Sequence, residues 1–104
     1  MRAPAIRISL GVFDADKTET IAATLVETRD LLELGIRAMR GNLGYFFGVD
    51  RTANVMHNVS CWESMVDADQ MGSYQPMLYR AGEFVRLGVR FQRPILNFET
   101  LWRF

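Results

Sequence analysis

The sequence has little of the chemistry on which many enzymes depend: among 104 residues there is one cysteine, Cys61, and one histidine, His57. A single cysteine excludes an internal disulfide and a zinc site made of thiolates. No phosphate-binding glycine loop and no cluster of metal ligands is present, and a Ser-His-Asp arrangement has no identifiable spacing. The expectation is therefore a protein that binds no metal.

The chain also has no excess of positive or of negative charge. The 12 basic and 12 acidic residues cancel, and Lys and Arg form no run. This is a poor match to a nucleic-acid backbone, so no nucleic-acid partner is expected. No apolar stretch has the length of a signal peptide or a membrane span, which predicts a cytoplasmic protein without a membrane partner.

What the chain does have is apolar side chains, which make up 49% of it and include seven Phe, three Tyr and two Trp. This composition supports one packed domain over residues 1–104. Because a domain of this size buries a limited share of its surface, the apolar content favours an oligomer.

The first half of the chain predicts a strand, a helix and a hairpin. Residues Ala5 to Phe13 alternate, with Ile6, Ile8, Leu10 and Val12 on one face. Asp16 and Glu19 have the spacing of a capping box, and a helical stripe follows that faces the strand: Ile21, Leu25, Thr28, Leu32, Gly35 and Met39. Two strands, Leu43–Val49 and Asn54–Trp62, flank the polar turn 50–54.

The second half predicts helices and a last strand. Ser64 and Asp67 suit the start of a helical region from Met65 to about Met71, and a further helix runs from Pro76 to Leu87. Gly88 stops it, and Pro94 introduces a strand from Ile95 to Phe104 whose apolar face holds Leu96, Phe98, Trp102 and Phe104.

This order, β-α-β-β-α-β, predicts an α+β fold: a ferredoxin-like plait with a four-stranded antiparallel sheet and its helices on one face. The strands carry apolar residues on both faces, as Phe46 lies opposite to Tyr45 and Phe47. A second apolar face needs a partner, so a homodimer in which two sheets form an α+β barrel is expected. In that dimer Phe98, Trp102 and Phe104 should be largely buried.

Two short motifs are informative: "RGNLGYFFGVD", residues 40–50, and "SCWES", residues 60–64. They resemble the dimeric α+β barrel proteins and, within them, the antibiotic-biosynthesis monooxygenase family. The resemblance implies an enzyme acting on a small molecule and, for the oxygenases of aromatic polyketides in the family, no cofactor. In the heme-degrading branch, a Trp that matches Trp62 works with an Asn on the first strand and a His in the second helix. Here "AIRISLGVF" has no Asn and the helix slot, residues 70–73, has no His, so heme degradation is not expected.

Two residues have competing interpretations. His57 is a candidate catalytic base for a phenolic substrate, or a histidine in the dimer interface. Alternation along the strand places it opposite to Asn58 and Trp62, which favours the interface if the pocket lies on the Trp62 face. Trp62 is either the wall of an aromatic binding site or a core residue between the sheet and a helix.

The remaining candidates are for substrate binding. Asn58 and Ser60 share the face of Trp62, where buried polar groups need partners and a ligand would supply them. Tyr45 and Tyr79 are candidates to shape the pocket and donate hydrogen bonds. Three hypotheses follow: a cofactor-independent monooxygenase acting on an aromatic or polyketide-like substrate, a barrel that binds an apolar or aromatic molecule without catalysis, or a structural dimer.

Overall fold

The fold is an antiparallel sheet with helices on one face, in a computed structural model that describes residues 4–104. Its strands are β1 Ala5–Val12, β2 Asn42–Asp50, β3 Val55–Trp62, β4 Arg90–Phe91 and β5 Leu96–Glu99. Its helices are α1 Thr18–Arg37, α2 Met65–Ala68 and α3 Gln75–Arg86, with 3-10 turns at Ala15–Lys17 and Asp69–Ser73.

The strand order is β2-β3-β1-β4. Strand β5 pairs with the first half of β1, and β4 pairs with its last two residues. Because β3 occupies one side of β1 along its whole length, β4 and β5 share the other side. The two short strands therefore fill the one position predicted for the last strand, interrupted at residues 92–95 around the cis Arg93–Pro94 peptide. The predicted ferredoxin-like plait is confirmed.

The last strand is shorter than predicted. Strand β5 ends at Glu99, and residues 100–104 have no regular structure. In this single chain the side chains of Trp102 and Phe104 are exposed. The prediction that they continue the strand is wrong, because the pairing of β5 with β1 stops at Glu99 and Ala5 and is followed by one hydrogen bond from the Thr100 N–H to the Pro4 carbonyl.

The helices cover the less apolar face of β1. Ala5, which is fully buried, pairs with buried Trp62, and Gly11 pairs with buried Met56. The helices therefore cover the face of Ala5, Arg7 and Ser9. The aliphatic face, with Ile6, Ile8, Leu10 and Val12, is the open face of the sheet.

Helix α1 buries nearly the predicted stripe: Ile21, Leu25, Thr28, Leu32 and Ile36. Gly35 sits in its last turn, where an added Cβ would lie 1.9 Å from the hydroxyl oxygen of Tyr74. The capping box is wrong: the 3-10 turn precedes the helix, and no side chain caps its N-terminus. Glu19 pairs with Arg51 instead.

The hairpin and the later helix starts agree with the sequence. Asp50 Oδ1 accepts from the backbone N–H groups of Thr52 and Ala53 and holds the turn. Ser64 caps α2 through the N–H of Asp67, and Gly88, with φ of 99°, ends α3. Within residues 4–104 no helix is long and apolar enough to cross a membrane.

Candidate functional site

Trp62 is at the centre of the core between the sheet and the helices. Its side chain is 0% exposed and packs with Leu32, Ile36 and Met71. The indole Nε1 donates a hydrogen bond of 2.8 Å to Ser60 Oγ, so the one polar atom of the ring is satisfied within the protein. The prediction that Trp62 lies between the sheet and the second helical region is confirmed, and no surface of the ring remains for a ligand in this conformation.

An ion pair holds the helical segment over Trp62. Arg40 Nε lies 2.7 Å from Asp67 Oδ1, and Asp67 is 2% exposed. Gly41, with φ of 75°, follows Arg40, and a Cβ there would lie 2.2 Å from Asp67 Oδ2. The glycine that enters β2 is therefore required by close approach to Asp67. The backbone N–H of Glu63 also donates to the carbonyl of Gly41 at 2.8 Å, and this hydrogen bond links the two sequence motifs.

A row of polar side chains lies beside Trp62 on the helix-covered face. The strand register places Arg7 opposite Ser60 and Ser9 opposite Asn58. On the other side of β3, Tyr45 pairs with Ser60 and Phe47 with Asn58. Cross-strand partners share one face of a sheet. The floor under α3 therefore combines a guanidinium, a carboxamide and a phenol, in a region otherwise occupied by the core.

Tyr45 places a phenol in this region. Its hydroxyl oxygen is buried and makes no hydrogen bond of normal geometry within residues 4–104. Burial away from water raises the pKa of Tyr45 well above its ordinary value, against the opposing effects of the neighbouring Asn58 amide and Arg7 charge. A buried hydroxyl without a partner is a group that a ligand or a water molecule would satisfy.

Arg7 is the charged group of the floor. It is half-buried, and burial lowers its pKa below the ordinary value for arginine. Tyr45 and Asp69 oppose that shift, whereas the nearby positive charge of Arg93 adds to it. An arginine stays protonated at neutral pH in spite of such a shift. Arg7 therefore supplies a positive charge in a partly dry environment.

A cavity of about 60 Å³ lies between this floor and α3. Its polar lining is Arg7, Ser9, Asn58 and Arg93, and its apolar lining comes from aromatic, aliphatic and thioether side chains: Phe47, Met56, Met71, Met77, Leu78, Ala81, Phe84, Phe91 and Ile95. This volume corresponds to about two water molecules. A ring-bearing ligand needs the flexible side chain of Met77 to move aside.

His57 lies on the opposite face of the sheet. It pairs with Leu10 and Gly48, and an added Cβ at Gly48 would be 2.4 Å from Nε2, so the imidazole lies over that glycine. Its Nδ1 is buried and has no hydrogen-bond partner in the described chain. The structure thus separates His57 from Asn58, Ser60 and Trp62, as alternation along the strand indicated. The imidazole cannot act as a base in the cavity.

Of the two tyrosines named from the sequence, only Tyr45 lies beside the site. Tyr79 is 67% exposed on the outer side of α3. Arg7 and Arg93, which line the cavity, were not among the candidate site residues named from the sequence. Alternation along β1 already placed Arg7 on one face with Ser9 and Gly11. Because the helices cover that face, Arg7 could have been named as a candidate site residue.

A larger groove of about 950 Å³ runs between α1 and the edge strand β2. Its charged groups include an ion-paired set, in which Glu33 lies 3.1 Å from both Arg29 and Arg37. Among its described lining residues, the Tyr45 hydroxyl is the one buried polar group without a partner. Because the groove is open to solvent, we place the candidate site in the smaller cavity. No three His, Cys, Asp or Glu side chains gather as metal ligands anywhere in residues 4–104.

Comparison with protein families and with curated proteins gives no match, but the fold has solved relatives. A candidate antibiotic biosynthesis monooxygenase of Deinococcus radiodurans is 14% identical with a TM-score of 0.73, over 96% of this chain and 95% of that one. A similarly named protein of Nitrosomonas europaea is 13% identical with a TM-score of 0.72, over 98% and 94%.

SnoaB of Streptomyces nogalater, a cofactor-independent oxygenase, is 10% identical with a TM-score of 0.69, over 97% of this chain and 96% of that one. The chain therefore has the ferredoxin-like fold of antibiotic biosynthesis monooxygenase-like proteins. The resemblance seen in the two motifs is confirmed, and at these identities it is one of fold.

Proposed function

We propose that this protein is a cofactor-independent oxygenase that acts on an electron-rich aromatic, polyketide-like substrate in the cavity under α3. One observation carries the proposal: Arg7 and Asn58 line one partly dry cleft, and the unpaired Tyr45 hydroxyl lies close to both. The fold shared with SnoaB, a cofactor-independent oxygenase, supports it.

The reaction would depend on the substrate anion. A phenol or anthrone that has lost a proton is electron-rich enough to react with O₂. The positive charge of Arg7 would favour that anion, and the Asn58 amide and Tyr45 hydroxyl would donate to its oxygen, an arrangement that stabilises charge without any reorganisation of solvent. For an anthrone, the carbanion and O₂ form a C–O bond, and the peroxide takes up a proton. It then loses water to give the ketone, so one oxygen atom enters the product and the other enters water.

His57 has no part in this scheme as a base. The residues that line the cavity include no histidine, aspartate or glutamate. The substrate proton would therefore pass to water, and the protein would act by holding the anion. The same observation favours a second candidate function, a protein that binds an aromatic molecule without turnover.

We also propose that the protein is a homodimer in which two open sheet faces meet. That face carries aliphatic side chains from β1 and β3 and the half-exposed Phe46 and Phe98. An apolar sheet face of this extent needs a cover. His57 would then lie in the interface.

Oxygen uptake with 1,8-dihydroxyanthrone tests the function. We expect catalysed uptake and, with ¹⁸O₂, one labelled atom in the quinone. Asn58→Ala should lower the rate at least tenfold, whereas Thr52→Ala, in the exposed hairpin turn away from the cavity, is the control and should not. Saturable binding without uptake would instead identify a binding protein. Loss of uptake in a dimeric His57→Gln variant would contradict the placement of the site.

A further inference from the structure

Two arginines that come from different parts of the fold line the same small cavity. Arg7 rises from the middle of β1, and Arg93 comes from the segment between β4 and β5. Arg93 lies with its guanidinium carbon 5.0 Å from the centre of the Phe91 ring, and its Nη1 donates to the carbonyl of Gln92 at 3.0 Å. The Phe91 ring and the neighbouring carbonyl thus hold Arg93 at the rim of the cavity.

Neither arginine has a carboxylate partner in residues 4–104, although most arginines of the chain do. Six form ion pairs with aspartate or glutamate: Arg29, Arg37, Arg40, Arg51, Arg86 and Arg90. Arg80 donates instead to the Thr28 hydroxyl. Two arginines without a carboxylate partner therefore lie at one cavity, whereas six others are neutralised by an ion pair.

This arrangement costs free energy in the empty protein. Arg7 and Arg93 repel each other, and Arg7 is also partly removed from water. Among the described residues, the carboxylate that acts on Arg7 is that of Asp69, which is exposed and forms no ion pair with it. Two like charges around an otherwise apolar cavity are stabilised when a bound anion lies between them.

We propose that the ligand of this cavity carries a carboxylate, which Arg7 and Arg93 bind together while its aromatic ring lies among Phe47, Phe91 and Met77. A carboxylate is flat and accepts two parallel hydrogen bonds from a guanidinium. The apolar lining suits the attached ring. The substrate class is thus narrowed from aromatic molecules to aromatic acids. The inference shares its site with the proposed oxygenase function but does not require turnover.

Calorimetric titration with a matched pair of probes tests this inference. 1-Hydroxy-2-naphthoate and its methyl ester have the same rings and hydroxyl group and differ in the charge. The protein should bind the acid at least tenfold more tightly than the ester, and the difference should shrink in high salt. Inorganic phosphate at the same concentration should not displace the acid, since it cannot use the apolar lining.

Arginine variants distinguish binding in the cavity from a general effect of positive surface charge. Arg93→Gln should lower the affinity for the acid about tenfold and leave the affinity for the ester unchanged. Arg90→Gln is the matched control, because Arg90 lies on β4 three residues away, pairs with Asp14 and does not line the cavity. Arg7→Lys keeps the charge but loses the planar fork, and should have an intermediate effect.

The outcomes are distinct from those for the oxygenase. Equal affinity for acid and ester, no binding of either at millimolar concentration, or equal losses in Arg93→Gln and Arg90→Gln would each overturn the inference. Turnover of a neutral anthrone with no preference for acids would overturn it as well, and would leave the oxygenase in place. A preference for acids without oxygen uptake would support the inference and refute the oxygenase.

Discussion

The indole N–H of Trp62 donates to Ser60 Oγ over 2.8 Å, and both side chains are almost completely buried. At this end of the helix-covered face, the polar groups are therefore paired within the core. The candidate ligand-binding groups begin next to it, with the unpaired Tyr45 hydroxyl and the Asn58 amide, which donates to Met77 Sδ at 3.9 Å. The same strand β3 therefore contributes a structural residue and a candidate ligand-binding residue four positions apart.

Loss of Trp62 should reduce stability more than binding. Trp62→Ala should lower the free energy of unfolding by about 3–5 kcal/mol, because it removes a fully buried ring from the core. Ser60→Ala leaves the indole N–H without a partner and should cost about 1–3 kcal/mol. Urea denaturation at one fixed protein concentration measures both. A loss below about 1 kcal/mol for Trp62→Ala would show that the ring is not a core residue.

Removal of the Tyr45 hydroxyl should reduce ligand binding more than stability. Tyr45→Phe removes a buried, unpaired polar group, so at pH 7 its stability should equal or exceed that of the wild type. Its affinity for 1-hydroxy-2-naphthoate should fall severalfold, since the phenol would donate to the ligand. A stability loss with unchanged affinity would show that Tyr45 has only a structural role.

Tyr45 also predicts a dependence on alkaline pH. Burial raises its pKa in the folded protein above the value of about 10 in the unfolded chain. The corresponding stability is fully present below about pH 10 and is lost as the pH rises, because the unfolded state releases its proton first. Between about pH 10 and 12 the wild type should therefore lose stability more steeply than Tyr45→Phe. Tyr79→Phe, at an exposed position, is the matched control and should follow the wild type.

The dimer can be tested by charging one face. Sedimentation equilibrium at micromolar concentration should give twice the chain mass of 11.9 kDa. Val59→Asp, on the open face, should give a monomer, because a carboxylate would be buried in the interface. Val26→Asp changes a 73% exposed residue of α1 and should remain dimeric. A monomeric wild type would refute the barrel.

Removal of the C-terminal tail should weaken the same dimer. The apolar residues Leu101, Trp102 and Phe104 are 73% or more exposed in the single chain. The radius of gyration, 13.9 Å, exceeds the value of about 13 Å for a compact chain of this length. If the partner covers this tail, deletion of residues 101–104 should raise the dimer dissociation constant at least tenfold. An unchanged constant would place the tail outside the interface.

Local sequence patterns determined most of the elements. The 3.6-residue stripe identified α1, and the turn residues from Asp50 to Asn54 identified the hairpin. Alternation along β3 was by itself enough to separate His57 from Asn58 and Trp62. These features depend on neighbouring residues of the chain, whose geometry has a fixed period.

Tertiary structure decided which face of the sheet became the interior. Alternation shows that Ile6, Ile8 and Leu10 share a face, but not whether helices or a second sheet cover it. Antiparallel pairing places Arg7 opposite Ser60 and Ser9 opposite Asn58, while return of the chain through β4 brings Arg93 to the same cavity. The sequence determined which side chains lie together on each strand. Only the packing of all strands and helices gathered them into a site, because that arrangement depends on contacts between residues far apart in the chain.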